Sequence, residues 1–594
     1  MNVLLQHGNG WLRFAEPVEV LTARTSDEVY ECLKKIETSG LWAAGFVSYE
    51  ASVTFDDALK THVQGGLPLL QFGLFKNVEQ TSLSAQMHRQ GCLRHYQLGE
   101  WKPSVSRGEY GEAITKIKEH IAAGDTYQVN YTFRLNAEFS GSPFDFFCDL
   151  AAAQQGRYAA FIETDEFAIC SASPELFFEL NDGVITSRPM KGTKSRALTA
   201  VADRAAAEAL KNSAKDCAEN IMIVDMIRND IGRIAEAGSV ETVSRFDVEK
   251  YPTVWQLTST VRGQALTFAK QQKSRPDPLP VFRALFPCAS ITGAPKAKTM
   301  EIIRSLEKSP RGVYTGAIGF IAPDGAAQFS VAIRTAVVDR INGSVEYGIG
   351  GGIVWDSNPE DEYREALSKA AILTKKMPEF QLLETMRWEN GEIFLLERHL
   401  KRLAESAEYF DFECDLANIR SALNECCRPG DPTGRTPCEG TRPTKIRLLL
   451  NQSGAFEVQT SEIQRGEGTA STLAIAKEPV DSGDVFLYHK TTNRAVYEKA
   501  KADFPEANDV LLFNERGEVT ESCIANVVIE LDGRKVTPPV SCGLLAGTFR
   551  DDLLERGEIC EQVITLDDLK RADAICLINS VRKWRKVSVN WAAL

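Results

Sequence analysis

The run Ser187-Arg188-Pro189-Met190-Lys191-Gly192-Thr193 sets a single lysine before a glycine that permits a tight turn. Such a lysine is either a solvated surface charge, as most lysines are, or an amine held for covalent work. Several downstream segments share one chemical demand, an anionic ligand. Ser290-Ile291-Thr292-Gly293-Ala294-Pro295-Lys296 precedes a helix-like run, and Ala332-Ile333-Arg334-Thr335 ends a strand-like run. Arg334 offers a planar fork for a carboxylate. In Tyr347-Gly348-Ile349-Gly350-Gly351-Gly352, the last three glycines can bring successive backbone N–H groups close to an anion. Thr292 and Gly293 add a hydroxyl and a further N–H. A dinucleotide loop is the competing reading of the glycines. It fails because Ile353 stands where the third glycine is needed and no ribose-binding acid follows in a βαβ unit.

Acids come next, in Asn358-Pro359-Glu360-Asp361-Glu362-Tyr363-Arg364-Glu365. Asn358 suits a helix N-cap, Pro359 the first helical position, and Glu360 and Asp361 the positive end of the helix dipole. Glu362 and Glu365 are less well explained that way. They lie three apart on one helical face, where like charges repel unless a cation intervenes.

In this order, these segments closely resemble the chorismate-utilising enzymes, and within them the synthase component of 4-amino-4-deoxychorismate formation. The resemblance covers about residues 100–375, while the first hundred residues match loosely. It implies an α+β fold of the anthranilate synthase component I type, with chorismate as substrate. It makes Lys191 the nucleophile at ring C2 and Glu175, in Ser173-Pro174-Glu175-Leu176, the acid that protonates the departing C4 hydroxyl. Tyr314 stands where the family places a tyrosine near the carboxylate held by Arg334. Glu219, in Ala218-Glu219-Asn220-Ile221, joins Glu362 and Glu365 as a magnesium site, with Glu365 a direct or water-mediated ligand. Gln128, in Tyr127-Gln128-Val129-Asn130, takes the place of the lysine base of isochorismate and salicylate synthases. Anthranilate synthases usually carry alanine at the position of Lys191, so Gln128 with Lys191 selects aminodeoxychorismate formation. One departure is Trp255-Gln256, where relatives often have a histidine. A Gly-x-Cys-x-Gly glutaminase nucleophile is missing, so ammonia is expected from solution or from a separate glutamine amidotransferase subunit.

The chain that must position these groups is 594 residues long, room for several core-forming units. Its 43% apolar and 25% charged content is that of a soluble globular protein, and a net charge of −13 argues against nucleic acid or an anionic membrane as partner. Fourteen cysteines without a paired C-x-x-C framework point to a reducing cytoplasm. The start Met1-Asn2-Val3-Leu4-Leu5-Gln6-His7-Gly8 does not read as a signal peptide, and no apolar run is long enough to span a bilayer. A helix is expected from Tyr363 to Lys376, closed by Met377-Pro378, with the main boundary at about 374–380. That gives domains 1–375 and 376–594. Cys426 to Pro443, rich in Gly, Pro, Arg and Thr, reads as a surface loop; its three cysteines lack further ligands at zinc spacing.

The second domain carries its own motifs. Leu383-Glu384-Thr385-Met386-Arg387 leads through the hairpin signal Asn390-Gly391 to a helix with His399-Leu400-Lys401-Arg402-Leu403. A strand-like Asp484-Val485-Phe486-Leu487-Tyr488 delivers His489-Lys490, and Asn493-Arg494 begins a helix. Val519-Thr520-Glu521-Ser522 continues to Ala525-Asn526, and Gly543 to Thr548 opens another helix. This order resembles the class IV pyridoxal-phosphate enzymes, most closely the aminodeoxychorismate lyases, and implies an α/β fold of two subdomains. Relatives have an additional strand pair before the Leu383 segment. By resemblance Lys490 bonds the aldehyde of pyridoxal 5'-phosphate and moves the proton, and Glu521 keeps the pyridinium nitrogen charged. Arg402 and the Gly547-Thr548 helix start would hold the phosphate, with Asn526 also at the cofactor. Asn493 and Arg494 match family positions but equally suit a helix start. A homodimer through residues 380–594 is implied as well. Together the halves suggest chorismate and ammonia going to 4-aminobenzoate and pyruvate. The alternatives are a branched-chain or D-amino-acid aminotransferase, or a regulatory module, in the second half.

Overall fold

The computed structural model describes residues 1–63, 65–81, 95–266, 279–373, 378–426, 443–463 and 471–591. The chain divides into two compact units: Met1–Ser195 with Ala207–Met377, and Arg196–Ala206 with Pro378–Leu594. Residues 374–377, where the sequence placed the boundary, and most of the Cys426–Pro443 loop lie outside the described residues. Among the described residues, no helix is long and apolar enough to cross a membrane.

Among the described residues, the first unit is built on an 11-stranded and a 10-stranded sheet. In the first sheet, Gln128–Gly141 pairs antiparallel with Ser344–Ile353 over ten residues, from Ser344 opposite Glu138 to Ile353 opposite Val129. In the second, Met190–Ser195 and Val184–Arg188 both pair with Val254–Gln264. Period-two alternation sends apolar side chains from each sheet inward. Phe46 and Phe320 of one sheet therefore share a buried cluster with Leu5, Ile162 and Ile169 of the other.

Two helices carry acids to this framework, and both are capped as their sequences dictate. Ser213 accepts from Asp216 N at 3.3 Å to start Ala214–Gly232. Asn358 Oδ1 accepts from Glu360 N at 2.9 Å and Asp361 N at 3.3 Å to start Pro359–Ser368. This second helix is shorter than expected. It stops at Ser368, and a separate 3₁₀ turn, Ala371–Leu373, turns Ile372 and Leu373 into the core.

Among the described residues, the second unit has two sheets. Leu382–Glu389, Thr444–Leu450 and Phe456–Glu462 form most of a four-stranded antiparallel sheet, covered by the helices Leu396–Phe410 and Leu416–Glu425. Asn390 and Gly391 take φ values of 55° and 89° at its hairpin turn, the left-handed backbone that this dipeptide favours. The other sheet has eight strands, and Ser471–Ile475 lies parallel to both Asp509–Phe513 and Lys583–Val589 within it. One expected strand is absent. Asp484–Tyr488 instead contains a 3₁₀ turn, Val485–Leu487, because Asp484 caps it by accepting from Phe486 N at 3.0 Å. Lys490 is positioned by pairing at its flank: Leu382 bridges Thr491, and Leu383 N donates to the Lys490 carbonyl at 2.9 Å.

Candidate active sites

In the first unit a cavity of about 410 Å³ gathers Glu175, Lys191, Glu219, Tyr314, Arg334, Glu362 and Glu365. Lys191 is the second residue of Met190–Ser195. Its Nζ lies 3.9 Å from Glu219 Oε2, and burial holds its pKa below the usual lysine value against the pull of that carboxylate. Gly192 has φ 97°, and a Cβ there would sit 3.0 Å from Asp216 Cβ, so glycine suits the irregular point in the strand pairing that follows the lysine. Glu175 is buried and accepts from Met190 N at 3.4 Å, and Ser290 lines the same cavity. Burial pushes the Glu175 pKa up to about 7.

The triple glycine lines this cavity. It lies within the strand Ser344–Ile353, paired with Gln128–Gly141, where a ladder turns only alternate N–H groups away from its partner. Its glycines also make room. A Cβ on Gly348 would fall 2.2 Å from the Tyr314 ring, and one on Gly352 would fall 2.4 Å from Lys191 Nζ and 2.5 Å from Gln128 Nε2. Gln128 is buried, and its amide oxygen and nitrogen have no partner among the described residues.

Thr292 and Gly293 do not line the cavity; Ser290 and Ile291 do. The Thr292 hydroxyl donates to the carbonyls of Cys288 and Ala289 at 3.3 and 3.2 Å, closing a 3₁₀ turn. Gly293 is demanded by the neighbouring strand, since its Cβ would meet the Gln128 carbonyl at 2.0 Å. Tyr314 is buried with Arg134 5.1 Å over its ring. Arg334, at φ 52°, donates to the Lys369 carbonyl. Gln256, beside Trp255, lines the cavity and accepts from the Thr193 hydroxyl at 3.1 Å.

Glu219, Glu362 and Glu365 line the same cavity, and their oxygens are the donors a hard divalent cation takes. Their spacing is wider than a closed ligand set: among the described residues no three His, Cys, Asp or Glu side chains are gathered closely enough to hold a metal ion. Lys369 Nζ pairs with Glu365 at 2.8 Å and bonds the Gly350 carbonyl at 2.9 Å. Ser357 donates to Glu362 at 2.7 Å, while burial and then the Glu365 charge raise the Glu362 pKa. Glu360, by contrast, is taken by Arg107. The donor chemistry fits magnesium, with Lys369 standing at one of the carboxylates. Sequence reasoning missed Lys369, which no motif around it marks, and within the Ser290–Lys296 motif it chose Thr292 and Gly293 rather than Ser290.

A cavity of about 380 Å³ in the second unit gathers Arg402, Lys490, Glu521, Asn526, Gly547 and Thr548. Burial, and then Arg402, lower the Lys490 pKa to about 8. Glu521 Oε1 accepts from the Tyr497 hydroxyl at 2.8 Å and from Leu545 N at 3.2 Å; Asn526 Nδ2 donates to Oε2 at 3.2 Å. Burial raises its pKa to about 7 despite these bonds. Asn526 also donates to the Leu545 carbonyl at 2.8 Å, so it braces Glu521 and the following loop. A Cβ on Gly547 would fall 2.0 Å from Asn526 Oδ1, which explains the glycine at the cap of Thr548–Glu555.

Arg402 is held by Glu384 through two bonds, Nε to Oε1 at 2.9 Å and Nη2 to Oε2 at 2.7 Å. His399 Nδ1 lies 2.6 Å from Glu384 Oε2, and its Nε2 lies 3.2 Å from the Thr548 hydroxyl. Burial works to raise the Glu384 pKa, but Arg402 and His399 outweigh it and hold it at about 2. An acid thus orients the cation facing the cavity, a role the motif alone did not reveal. Arg494 donates to the Cys523 carbonyl and lies 4.5 Å over the Tyr497 ring. Asn493 does not line this cavity. A lysine, a buried carboxylate, an oriented arginine and a helix start fit an aldehyde-bearing pyridine phosphate.

The family model for chorismate binding enzymes matches residues 9–375. The chain belongs to that family. The match reaches well into the first hundred residues, where the motifs are weak. Aminodeoxychorismate synthase component 1 of Escherichia coli K12 is 41% identical over 278 residues, 47% of this chain and 59% of that one. Anthranilate synthase component 1 of Pseudomonas aeruginosa is 37% identical over 269 residues, 45% of this chain and 53% of that one. The chain thus spans less than two thirds of the length of these relatives. The crystal structure of anthranilate synthase component I from Streptococcus pneumoniae TIGR4 superposes with a TM-score of 0.53 at 25% identity, over 63% of this chain and 92% of that one. Residues 381–589 match the family model for amino-transferase class IV.

Proposed function

We propose that the chain makes 4-aminobenzoate, its first unit forming 4-amino-4-deoxychorismate and its second releasing pyruvate from it. The observation that carries the reading is the convergence of Lys191 and Glu175 on one cavity with Arg334 and Tyr314. Arg334 and Tyr314 would take a carboxylate of chorismate. Glu219, Glu362 and Glu365 would hold magnesium, which supplies charge neutralisation for the second carboxylate. Lys191, whose pKa burial lowers, bonds to C2 while the C4 hydroxyl leaves as water with the proton of Glu175. Ammonia then adds at C4, and the bond from C2 to Lys191 breaks. The relatives named aminodeoxychorismate synthase support this outcome, and their designation as component 1 supports a separate glutamine amidotransferase as the ammonia source.

In the second cavity Lys490, Glu521, Arg402, Gly547 and Thr548 would hold pyridoxal 5'-phosphate, whose ring supplies an electron sink. Lys490, with its pKa near 8, can take the proton from the carbon bearing the amine and return one to the enolpyruvyl methylene. Glu521, fixed by Tyr497, Asn526 and Leu545 N, holds a proton on the ring nitrogen. A homodimer through residues 380–594 belongs to the same reading. The overall change is chorismate plus ammonia to 4-aminobenzoate, pyruvate and water. Incubation with chorismate, ammonium, magnesium and pyridoxal phosphate should yield equal amounts of 4-aminobenzoate and pyruvate. Anthranilate or isochorismate as sole product would refute the first half, and accumulated aminodeoxychorismate the second.

A further inference from the structure

Among the described residues, six cationic side chains line the second cavity: Arg402, Lys445, Arg447, Lys490, Arg494 and Arg582. The phosphate and amine chemistry described above accounts for Arg402 and Lys490, and Arg494 is spent on the Cys523 carbonyl and the Tyr497 ring. Lys445, Arg447 and Arg582 have no carboxylate partner among the described residues, although neighbouring cations do. Arg387 pairs with Glu389 at 2.8 Å, and Lys583 pairs with the same acid.

The three are brought to one face by the backbone. In Thr444–Leu450, Ile446, Leu448 and Leu450 point into the core, so alternation turns Lys445 and Arg447 to the opposite face. Their cross-strand neighbours are Arg387 and Thr385 on one side and Ser461 and Gln459 on the other, none of them acidic. Arg582 is delivered by a pinned turn: Asn579 Oδ1 accepts from Val581 N at 3.1 Å and from Arg582 N at 2.7 Å. Arg387 donates to the Val581 carbonyl at 2.8 Å, and Ser580 to the Thr385 carbonyl at 3.3 Å, tying that turn to the same sheet face. Among the described residues lining the cavity Glu521 is the sole acid, and Tyr497, Leu545 and Asn526 already bond it.

We propose that Lys445, Arg447 and Arg582 form a carboxylate subsite, so that this cavity selects a small amine carrying two carboxylates. This deepens the lyase reading and rests on it for the identity of the amine. A monocarboxylate amino acid such as alanine would leave part of the subsite unanswered. Unpaired cations gathered at a cavity gain most from a ligand with more than one anionic group.

The test uses the full-length, cofactor-loaded protein and a variant with Lys445→Gln, Arg447→Gln and Arg582→Gln. Isophthalate, an unreactive dicarboxylate, serves as a binding probe by calorimetry, with benzamide as its neutral counterpart. The wild type should bind isophthalate and not benzamide, and the triple variant should bind it at least about tenfold more weakly. KM for added aminodeoxychorismate should rise at least as much, with turnover at saturation nearly unchanged. Arg534→Gln, an exposed cation on another strand, should change neither value. If the wild type binds isophthalate through these residues but releases no pyruvate from aminodeoxychorismate, the subsite stands and the lyase reading falls. Equal isophthalate affinity and equal KM in the triple variant would overturn the subsite. So would a weakened dimer with unchanged isophthalate affinity, which would reassign the three cations to a subunit contact.

Discussion

Lys191 Nζ occupies the space that a side chain at residue 352 would enter: a Cβ on Gly352 would lie 2.4 Å from it. The amine and the glycine come from strands of different sheets, 161 positions apart in the chain. Their closeness ties the reactivity of one sheet to the smallness of the other. Gly352→Ala should therefore displace the amine without unfolding the strand, since Gly352 has no left-handed backbone to lose. A displacement of about 1 Å at a reacting atom costs on the order of a hundredfold in rate. We expect that loss in aminodeoxychorismate formation, with cleavage of added aminodeoxychorismate unchanged. Wild-type rates of both would show that Lys191 is not held against this strand.

Removing the amine itself gives a different forecast. Lys191→Ala should strongly lower aminodeoxychorismate formation and open C2 to direct attack by ammonia, so that some anthranilate appears. Product chromatography decides it. Unchanged turnover with unchanged products would make Lys191 a bystander.

Glu175 sets a pH dependence whose sign follows from its role. As an acid it must be protonated before the reaction, and burial pushes its pKa up to about 7. Synthase activity should thus hold below that pH and decline above it. The Ser290 hydroxyl works to lower this pKa, so Ser290→Ala should move the alkaline limb upward. A limb that stays put in the variant would remove Glu175 from the proton transfer.

How much of this could be read along the chain depended on how local each cause was. Asn358 followed by Pro359 states its own helix start, and Asn390-Gly391 its own turn, because the bonds involved span two or three residues. The Asp484–Tyr488 segment misled because its apolar residues suit a strand, whereas the Asp484 carboxylate bonds the backbone two residues on. Gly350 to Gly352 read only as backbone donors to an anion, since the further reasons for their smallness, Lys191 and Tyr131, lie far off in sequence. The role of Glu384 could not be read from its motif for the same reason. Its partners His399 and Arg402 are fifteen and eighteen residues away and on another element.

Metal removal should separate the halves. Glu219, Glu362 and Glu365 belong to the first cavity alone. EDTA should abolish chorismate consumption and leave cleavage of added aminodeoxychorismate intact. The same preparation should use ammonium but not glutamine until an amidotransferase is supplied. Glutamine hydrolysis by the isolated chain would contradict the proposed second component.

The second cavity gives the forecast that best divides a lyase from an aminotransferase. Lys490→Ala should lose both the visible absorbance of bound cofactor and the release of pyruvate. Chorismate would still be consumed in that variant, so aminodeoxychorismate should accumulate, which a misfolded chain would not produce. Glu521→Gln should retain cofactor, because Arg402 and the Gly547-Thr548 helix start remain. Its lyase rate should fall by about a hundredfold, since a neutral amide cannot keep the ring nitrogen protonated. Tyr497→Phe should have a smaller effect in the same direction, because it removes one of the bonds that fix the carboxylate. An aminotransferase would behave otherwise: the wild type would convert its cofactor to pyridoxamine phosphate with ordinary amino acids and leave aminodeoxychorismate uncleaved. A spectrum recorded with alanine or glutamate, beside a pyruvate assay with aminodeoxychorismate, tells the two apart in one preparation.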